Sequence, residues 1–269
     1  MQGLKGKNVL VTGGGSGIGQ AIAVRFAEYG ANVAINYLSR PEEAAETEEQ
    51  VQACVRRVKE RGVTDVLVQG DVSREDDVVR LVDETVQQLG GIDVLVNNAG
   101  IQISRPSHEL SSEDFDKVLA VNLRGSFLCA REAIKRFLEA ESPGVVINMS
   151  SVHQLVPKPN YLGYSVSKGG MMNLTKTLAL EYAAYDIRVN GIGPGATVTP
   201  INRAWVDDPE KAEQVTSHIP MARAGTADEM AGVTCFLASD DAAYITGQTI
   251  FVDGGLTLYA DFREPWSSE

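Results

Sequence analysis

Seven short apolar runs rich in β-branched residues recur along the chain, with longer amphipathic segments between most of them. The runs are NVLVTG (8–13), ANVAINY (31–37), TDVLVQG (64–70), IDVLVNN (92–98), GVVINMS (144–150), IRVNGI (187–192) and QTIFVDG (248–254). Their near-continuous apolar character suits strands buried on both faces of a sheet. Helix-period segments lie at 17–29, 41–61, 74–89, 112–139, 161–184 and 226–239. Strand–helix alternation with right-handed crossovers gives a parallel sheet. The predicted fold is α/β: a Rossmann-like, doubly wound, seven-stranded parallel sheet with helices on both faces. No linker or composition break divides residues 1–269, so one domain is expected. Ligands of such sheets bind beyond the carboxyl ends of the strands, so functional residues should cluster where the runs stop.

Charge and composition narrow the partners. The net charge is −12, and an acidic surface repels phosphate backbones, which argues against nucleic acid. No run reaches the ~18–20 apolar residues that cross a bilayer, and MQGLKGKN at the start has no apolar signal core. A cytoplasmic protein without a membrane partner is expected. Cys54, Cys129 and Cys235 form no CxxC pair and read as buried small hydrophobes. No metal site is expected. The acid-rich PEEAAETEE (41–49) suits the solvated start of a helix.

The first run ends in TGGGSGIG (12–19) and leads straight into a helix. Gly13, Gly17 and Gly19 follow a GxxxGxG spacing. A tight turn there needs backbone without Cβ, and a pyrophosphate needs close approach to amides at a helix N-terminus. A dinucleotide site that reads NAD usually has an acid at the end of the second strand. Here that strand ends Asn36-Tyr37-Leu38, and Arg40 follows. Arg40 either meets a 2′-phosphate or is a solvated cation, so NADP or dual use is favoured over strict NAD. Asp71 in GDV accepts from an adenine amino group or closes a turn. NNAG (97–100) ends the fourth run, with Ala99 and Gly100 leaving room for a flat group.

The fifth run ends Ser150-Ser151, and YSVSK (164–168) follows on the next helix. Tyr164 and Lys168 share a helix face at i, i+4. Tyr161 has no lysine four residues on and reads as a packing residue. Gly169-Gly170 interrupts good helix formers, which a close contact would explain.

TGGGSGIG, NNAG, Asn122 in VNLRG, Ser151, Tyr164-x-x-x-Lys168 and GPG (193–195), in this order, resemble the short-chain dehydrogenase/reductase family. The resemblance implies that Tyr164 is the general acid/base and that Lys168 assists it and holds the nicotinamide ribose. It implies that Ser151, with Ser150 as the rival, bonds the substrate oxygen, and that Asn122 holds a relay water or merely bends its helix. It adds Ser16, Ile18, Tyr37, Val72, Asn98, Pro194, Gly195 and Thr197 to the cofactor contacts. A tyrosine ionising near neutral pH needs a drop of about 2–3 units, or roughly 3–4 kcal/mol. An ammonium ~4.5 Å away at an effective dielectric of ~20 supplies roughly 3.7 kcal/mol.

Within the family the chain is most similar to bacterial glucose 1-dehydrogenases, through VINMSSVH (146–153), TLALEYA (177–183), GPGA with TPIN (193–202), IPM (219–221) and DGGLTLY (253–259). That resemblance implies oxidation of an aldose C1 hydroxyl, with Gln102, His153 and Asn202 near the sugar, and a homotetramer. Gln102 and Gln154 depart from the acids often found there, and the tail after Tyr259 also differs. Residues 197–221 are expected to form a substrate lid. The alternatives are a carbonyl or 3-oxoacyl-thioester reductase, and a dinucleotide sensor without turnover.

Overall fold

A computed structural model of the protein describes residues 1–38 and 44–258. In chain order the first half comprises β1 (Asn8–Val11), α1 (Gly17–Glu28), β2 (Asn32–Tyr37), α2 (Ala44–Lys59), β3 (Asp65–Gln69), α3 (Glu75–Leu89), β4 (Val94–Asn97), α4 (Ser112–Leu119) and α5 (Gly125–Glu139). The second half comprises β5 (Gly144–Met149), α6 (Leu162–Tyr182), β6 (Ile187–Pro194), β7 (Thr197–Val198), α7 (Arg203–Val206), α8 (Pro209–Ser217), β8 (Gly225–Thr226), α9 (Ala227–Ala238) and β9 (Thr249–Val252).

The seven predicted runs all become strands of one parallel sheet, in the order β3-β2-β1-β4-β5-β6-β9. Alternate residues of each strand feed two cores. Val9, Val11, Val33, Ile35 and Ile147 pack with Phe26 of α1, Cys54 of α2 and Cys235 of α9. Leu10, Ala34, Leu95 and Val146 pack on the other face with Leu81 of α3, Phe137 of α5 and Ala179 of α6. All three cysteines are buried and free. Burying one large aliphatic or aromatic side chain contributes about 1.5–3 kcal/mol, so these two layers dominate stability.

Several boundaries differ from the sequence expectation, each for a local reason. The sixth strand runs to Pro194 rather than stopping at 192, because Gly193 and Pro194 pair with Phe251 and Val252. Proline fits there only as the terminal residue, since it donates no ladder hydrogen bond. The helix expected over 112–139 switches to a π-helical turn at Ala120–Arg124, between α4 and α5. Such turns mark places where a side chain competes for the helix backbone. Within α6, the glycine pair divides in role. A Cβ on Gly170 would lie 2.7 Å from Leu123 Cδ2, so a larger residue there would displace the Leu123 side chain. A Cβ on Gly169 would meet nothing within 4 Å, and nothing in the structure explains it.

The sheet order reverses between β1 and β4. The rule for doubly wound sheets puts the ligand beyond their carboxyl ends, at this switch point. Among the described residues no helix is long and apolar enough to cross a membrane.

Candidate active site

The glycine turn after β1 has the backbone a dinucleotide needs. Gly13 and Gly17 adopt φ of +60° and +54°, where a side chain is strained. A Cβ on Gly19 would collide with the Gly13 carbonyl oxygen and the Asn98 amide. Ser16 is the N-cap of α1 but makes no side-chain cap, so the first-turn amides, including that of Ile18, remain for an anion. These features fit a bound pyrophosphate.

The turn is braced by Asn36 and Thr12, which sequence reasoning did not single out, together with Asn98. Asn36 accepts from Gly13 N at 3.2 Å and donates to the Val68 and Gly70 carbonyls. The Thr12 hydroxyl oxygen accepts from the amides of Asn98 and Ala99 at 3.0 and 3.1 Å. Asn98 returns its side-chain nitrogen to the carbonyls of Thr12 and Gly13. Tyr37 closes β2, whose residues NVAINY include no acid. Arg40 and the tail from Tyr259 lie outside the described residues. Asp71 closes a turn: its Oδ1 accepts from Ser73 N and Ser73 Oγ at 2.9 and 2.7 Å. Val72, the next residue, is buried. Pro194 ends β6, Gly195 N donates to Val252 O at 3.1 Å, and Thr197 is buried beyond it.

The ends of β5 and the face of α6 bring the reacting residues together. Lys168 is 4% exposed and donates to the Met149 carbonyl at 2.7 Å. Its ammonium lies 5.5 Å from the centre of the Tyr164 ring. Ser151, not Ser150, hydrogen-bonds the Tyr164 phenol. Ser150 instead donates to Gln154 Oε1 at 2.7 Å. The His153 ring meets Tyr164 edge-on, with centroids 6.1 Å apart. His153 Nδ1 lies 2.8 Å from the Val156 carbonyl, which makes that nitrogen the N–H donor and leaves Nε2 as an acceptor. Burial lowers the His153 pKa, so the ring is neutral at pH 7. Tyr161 is a packing residue, covered by the Lys158 ammonium at 4.1 Å.

One sequence expectation needs correction. Tyr164 was expected below its usual pKa, yet burial raises it, and the Ser151 hydrogen bond only partly offsets that rise. In the cofactor-free protein the Lys168 ammonium, 5.5 Å from the ring centre and bonded to Met149 O, does not offset the burial of the phenol. The Asn202 side-chain nitrogen donates to Thr197 O and Thr199 Oγ1. Gln102 likewise donates to Ile201 O at 3.3 Å.

Asn122 lies in the π-helical turn, fully buried. Its side chain clamps Ile101, accepting from the amide at 2.8 Å and donating to the carbonyl at 2.9 Å. It also donates to Ser167 Oγ, which donates to the Tyr164 carbonyl. Gly100 fits against it, since a Cβ there would be 3.3 Å from Asn122 Oδ1. Asn122 thus ties the loop after β4 to the helix that carries Tyr164.

A glycine cradle at the switch point, with a buried lysine and a serine-bonded tyrosine beside it, defines a nicotinamide-dependent oxidoreductase. A family model described as enoyl-(acyl carrier protein) reductase matches residues 13–257, and the chain belongs to the short-chain dehydrogenase/reductase family, whose enzymes use NAD(P). A glucose 1-dehydrogenase of Gluconobacter oxydans is 53% identical over 264 residues, covering 98% of this chain and 96% of that protein. A 3β-hydroxysteroid dehydrogenase 1 of Eggerthella lenta is 47% identical over 260 residues, 97% of each chain. The solved gluconate 5-dehydrogenase of Burkholderia cenocepacia, in complex with NADP and tartrate, superposes with a TM-score of 0.86 at 36% identity, covering 94% of this chain and 96% of that one.

The depressed Lys168 pKa has a measurable consequence. Between about 8 and 10.5 the unfolded chain holds a proton that the folded chain has released. Stability therefore rises with pH across that window, by on the order of 3 kcal/mol from this group. Urea unfolding of the wild type and Lys168→Met at pH 7 and pH 10.5 measures it. The stability difference should move in favour of the wild type at the higher pH, and a constant difference contradicts the burial account.

Proposed function

We propose that the protein is a sugar dehydrogenase that oxidises the C1 hydroxyl of an aldose, glucose or a close analogue, to the lactone. The observation that carries this substrate is the 53% identity to a glucose 1-dehydrogenase over 98% of the chain. The bound nicotinamide supplies the hydride acceptor and a positive charge. Tyr164 removes the hydroxyl proton as general base and returns it as general acid in the reverse direction. Ser151, bonded to the phenol, holds the substrate oxygen. Lys168 grips the nicotinamide ribose and stabilises the phenolate. Asn122 fixes the relay water and the loop above it. The phenol of the cofactor-free protein is too basic for this work, so charge brought in with the cofactor must lower it.

The remaining cofactor contacts in this reading are Gly13, Ser16, Gly17, Ile18 and Gly19 at the pyrophosphate, and Tyr37 and Arg40 at the adenosine ribose. Asp71 and Val72 lie at the adenine, and Asn98, Ala99, Gly100, Pro194, Gly195 and Thr197 near the nicotinamide. With no acid closing β2, NADP is accepted at least as well as NAD. On the substrate side, His153 Nε2 accepts from a sugar hydroxyl, and Asn202 offers only its oxygen. Gln102 stands at the same edge. A polyol needs such partners, because each buried polar group left unpaired costs about 1–3 kcal/mol.

Residues 197–221 act as the lid. Their support is proximity: a Cβ on Gly17 would lie 3.4 Å from Pro200 Cδ, so this segment rests against the glycine turn. A homotetramer is supported by exposed Phe127 on α5 and Leu162, Val166 and Leu180 on α6.

Tyr164→Phe should lower turnover by about 10²–10⁴-fold while cofactor binding persists. Retained turnover would end the catalytic assignment. A panel of aldoses, a 3-oxoacyl thioester and a 3β-hydroxysteroid, each assayed with NAD and NADP, tests the substrate. Activity should be highest on an aldose, whereas thioester reduction without aldose oxidation favours the reductase reading. Tryptic cleavage at Arg203 and Lys211 should slow when NADP is added, and an unchanged rate removes the lid. Light scattering should give four times the 28.9 kDa chain mass, and a monomer mass rejects the tetramer.

A further inference from the structure

A chain of buried amides crosses the interior beneath the reacting residues. Asn97 of β4 and Asn148 of β5 are register partners in the sheet. Asn97 Nδ2 donates to Asn148 Oδ1 at 2.9 Å and to the Ser126 carbonyl of α5 at 3.0 Å. Asn148 Nδ2 donates to Thr175 Oγ1 of α6 at 2.9 Å. The Thr175 hydroxyl in turn donates to the Met171 carbonyl at 2.9 Å. Asn97, Asn148 and Thr175 are at most 2% exposed. The chain is expensive, for Asn97 Oδ1 is buried with no partner. Apolar residues of the same shape would avoid that penalty.

Placement gives the chain its purpose. Asn148 immediately precedes Met149, whose carbonyl holds Lys168. Asn97 immediately precedes Asn98, which braces the glycine turn. Thr175 lies seven residues beyond Lys168, on the same buried face of α6 with Met171 and Ala179. Apolar contacts along that face are non-directional and tolerate a small slide or roll of the helix. A hydrogen bond with one donor and one acceptor does not.

We propose that Thr175 and Asn148 are positioning residues that set the axial register of α6, so that Lys168 reaches the Met149 carbonyl and Tyr164 stands at the end of β5. The proposal rests on Tyr164 and Lys168 being the acid/base pair. Loss of the register moves Lys168 away from the phenol, and the phenol then ionises at higher pH.

The test compares wild type, Thr175→Val, Thr175→Ser and Tyr164→Phe, with the best aldose of the panel and NADP. Thr175→Val keeps the shape and removes the hydroxyl, and Thr175→Ser keeps the hydroxyl. Thr175→Val should bind NADP within about threefold of wild type in a fluorescence titration. Its kcat should fall roughly 10- to 100-fold, the scale of a misplaced reacting group. The pH at which kcat for oxidation reaches half its plateau should move upward. Thr175→Ser should recover kcat to within about threefold. Wild-type kcat and pH midpoint in Thr175→Val overturn the proposal, as does a Thr175→Ser variant no faster than Thr175→Val. Should Thr175→Val yield no folded protein, Thr175→Cys replaces it under the same criteria, because a thiol is the weaker acceptor. Wild-type turnover in Tyr164→Phe instead overturns the acid/base assignment, whatever Thr175 does.

Discussion

An ammonium buried at the end of β5 is the constraint around which the rest of the site is arranged. Lys168 is almost wholly removed from water, and burial lowers its pKa to about 8. An isolated charge in that position is unsustainable, so it needs a fixed acceptor. The Met149 carbonyl serves because β5 ends there, and a terminal carbonyl is free to point into the cleft. The same burial that weakens the lysine's charge also raises the tyrosine's pKa. Near pH 7 the cofactor-free site therefore holds a neutral phenol beside a lysine that is still protonated.

The switch point of the sheet supplies everything else. At the carboxyl ends of β1 and β4, Thr12 and Asn98 lock two loops into one surface through four hydrogen bonds. Asn36 joins the glycine turn to β3, and Asn122 joins the loop after β4 to α6 through Ser167. Each brace is a side-chain amide or hydroxyl that satisfies backbone groups left unpaired where a strand stops. A rigid loop cluster on a packed sheet is what a reaction requiring sub-ångström placement needs.

The fold was legible because it is written in burial. NVLV, VLVN and GVVINM are apolar on both faces, and only a two-sided parallel sheet accommodates that. Gly13, Gly17 and Gly19 were legible because positive φ and close approach leave few other residues. What sequence hid was partnership. Asn36, Asn97 and Asn148 stand inside apolar runs, and a polar residue there demands a buried partner. That was the available signal, but the partner's identity depends on strand order. Lys168 bonds a backbone carbonyl, which no residue type announces. The direction of the Tyr164 shift depends on depth of burial, and helical spacing alone does not encode depth. Asp71 illustrates the converse: its turn role was as legible as its adenine role, and Ser73 settles the first for Oδ1.

The account predicts that the phenol changes character when the cofactor binds. Carbon-13 labelling of the tyrosine ζ carbon, with the Tyr164 signal assigned by its loss in Tyr164→Phe, follows that ionisation directly. Without cofactor, Tyr164 should titrate above 10, as burial dictates. Saturated with oxidised NADP, it should titrate below about 8, the range a general base needs near neutral pH. A Tyr164 that still titrates above 10 in the complex would contradict the account.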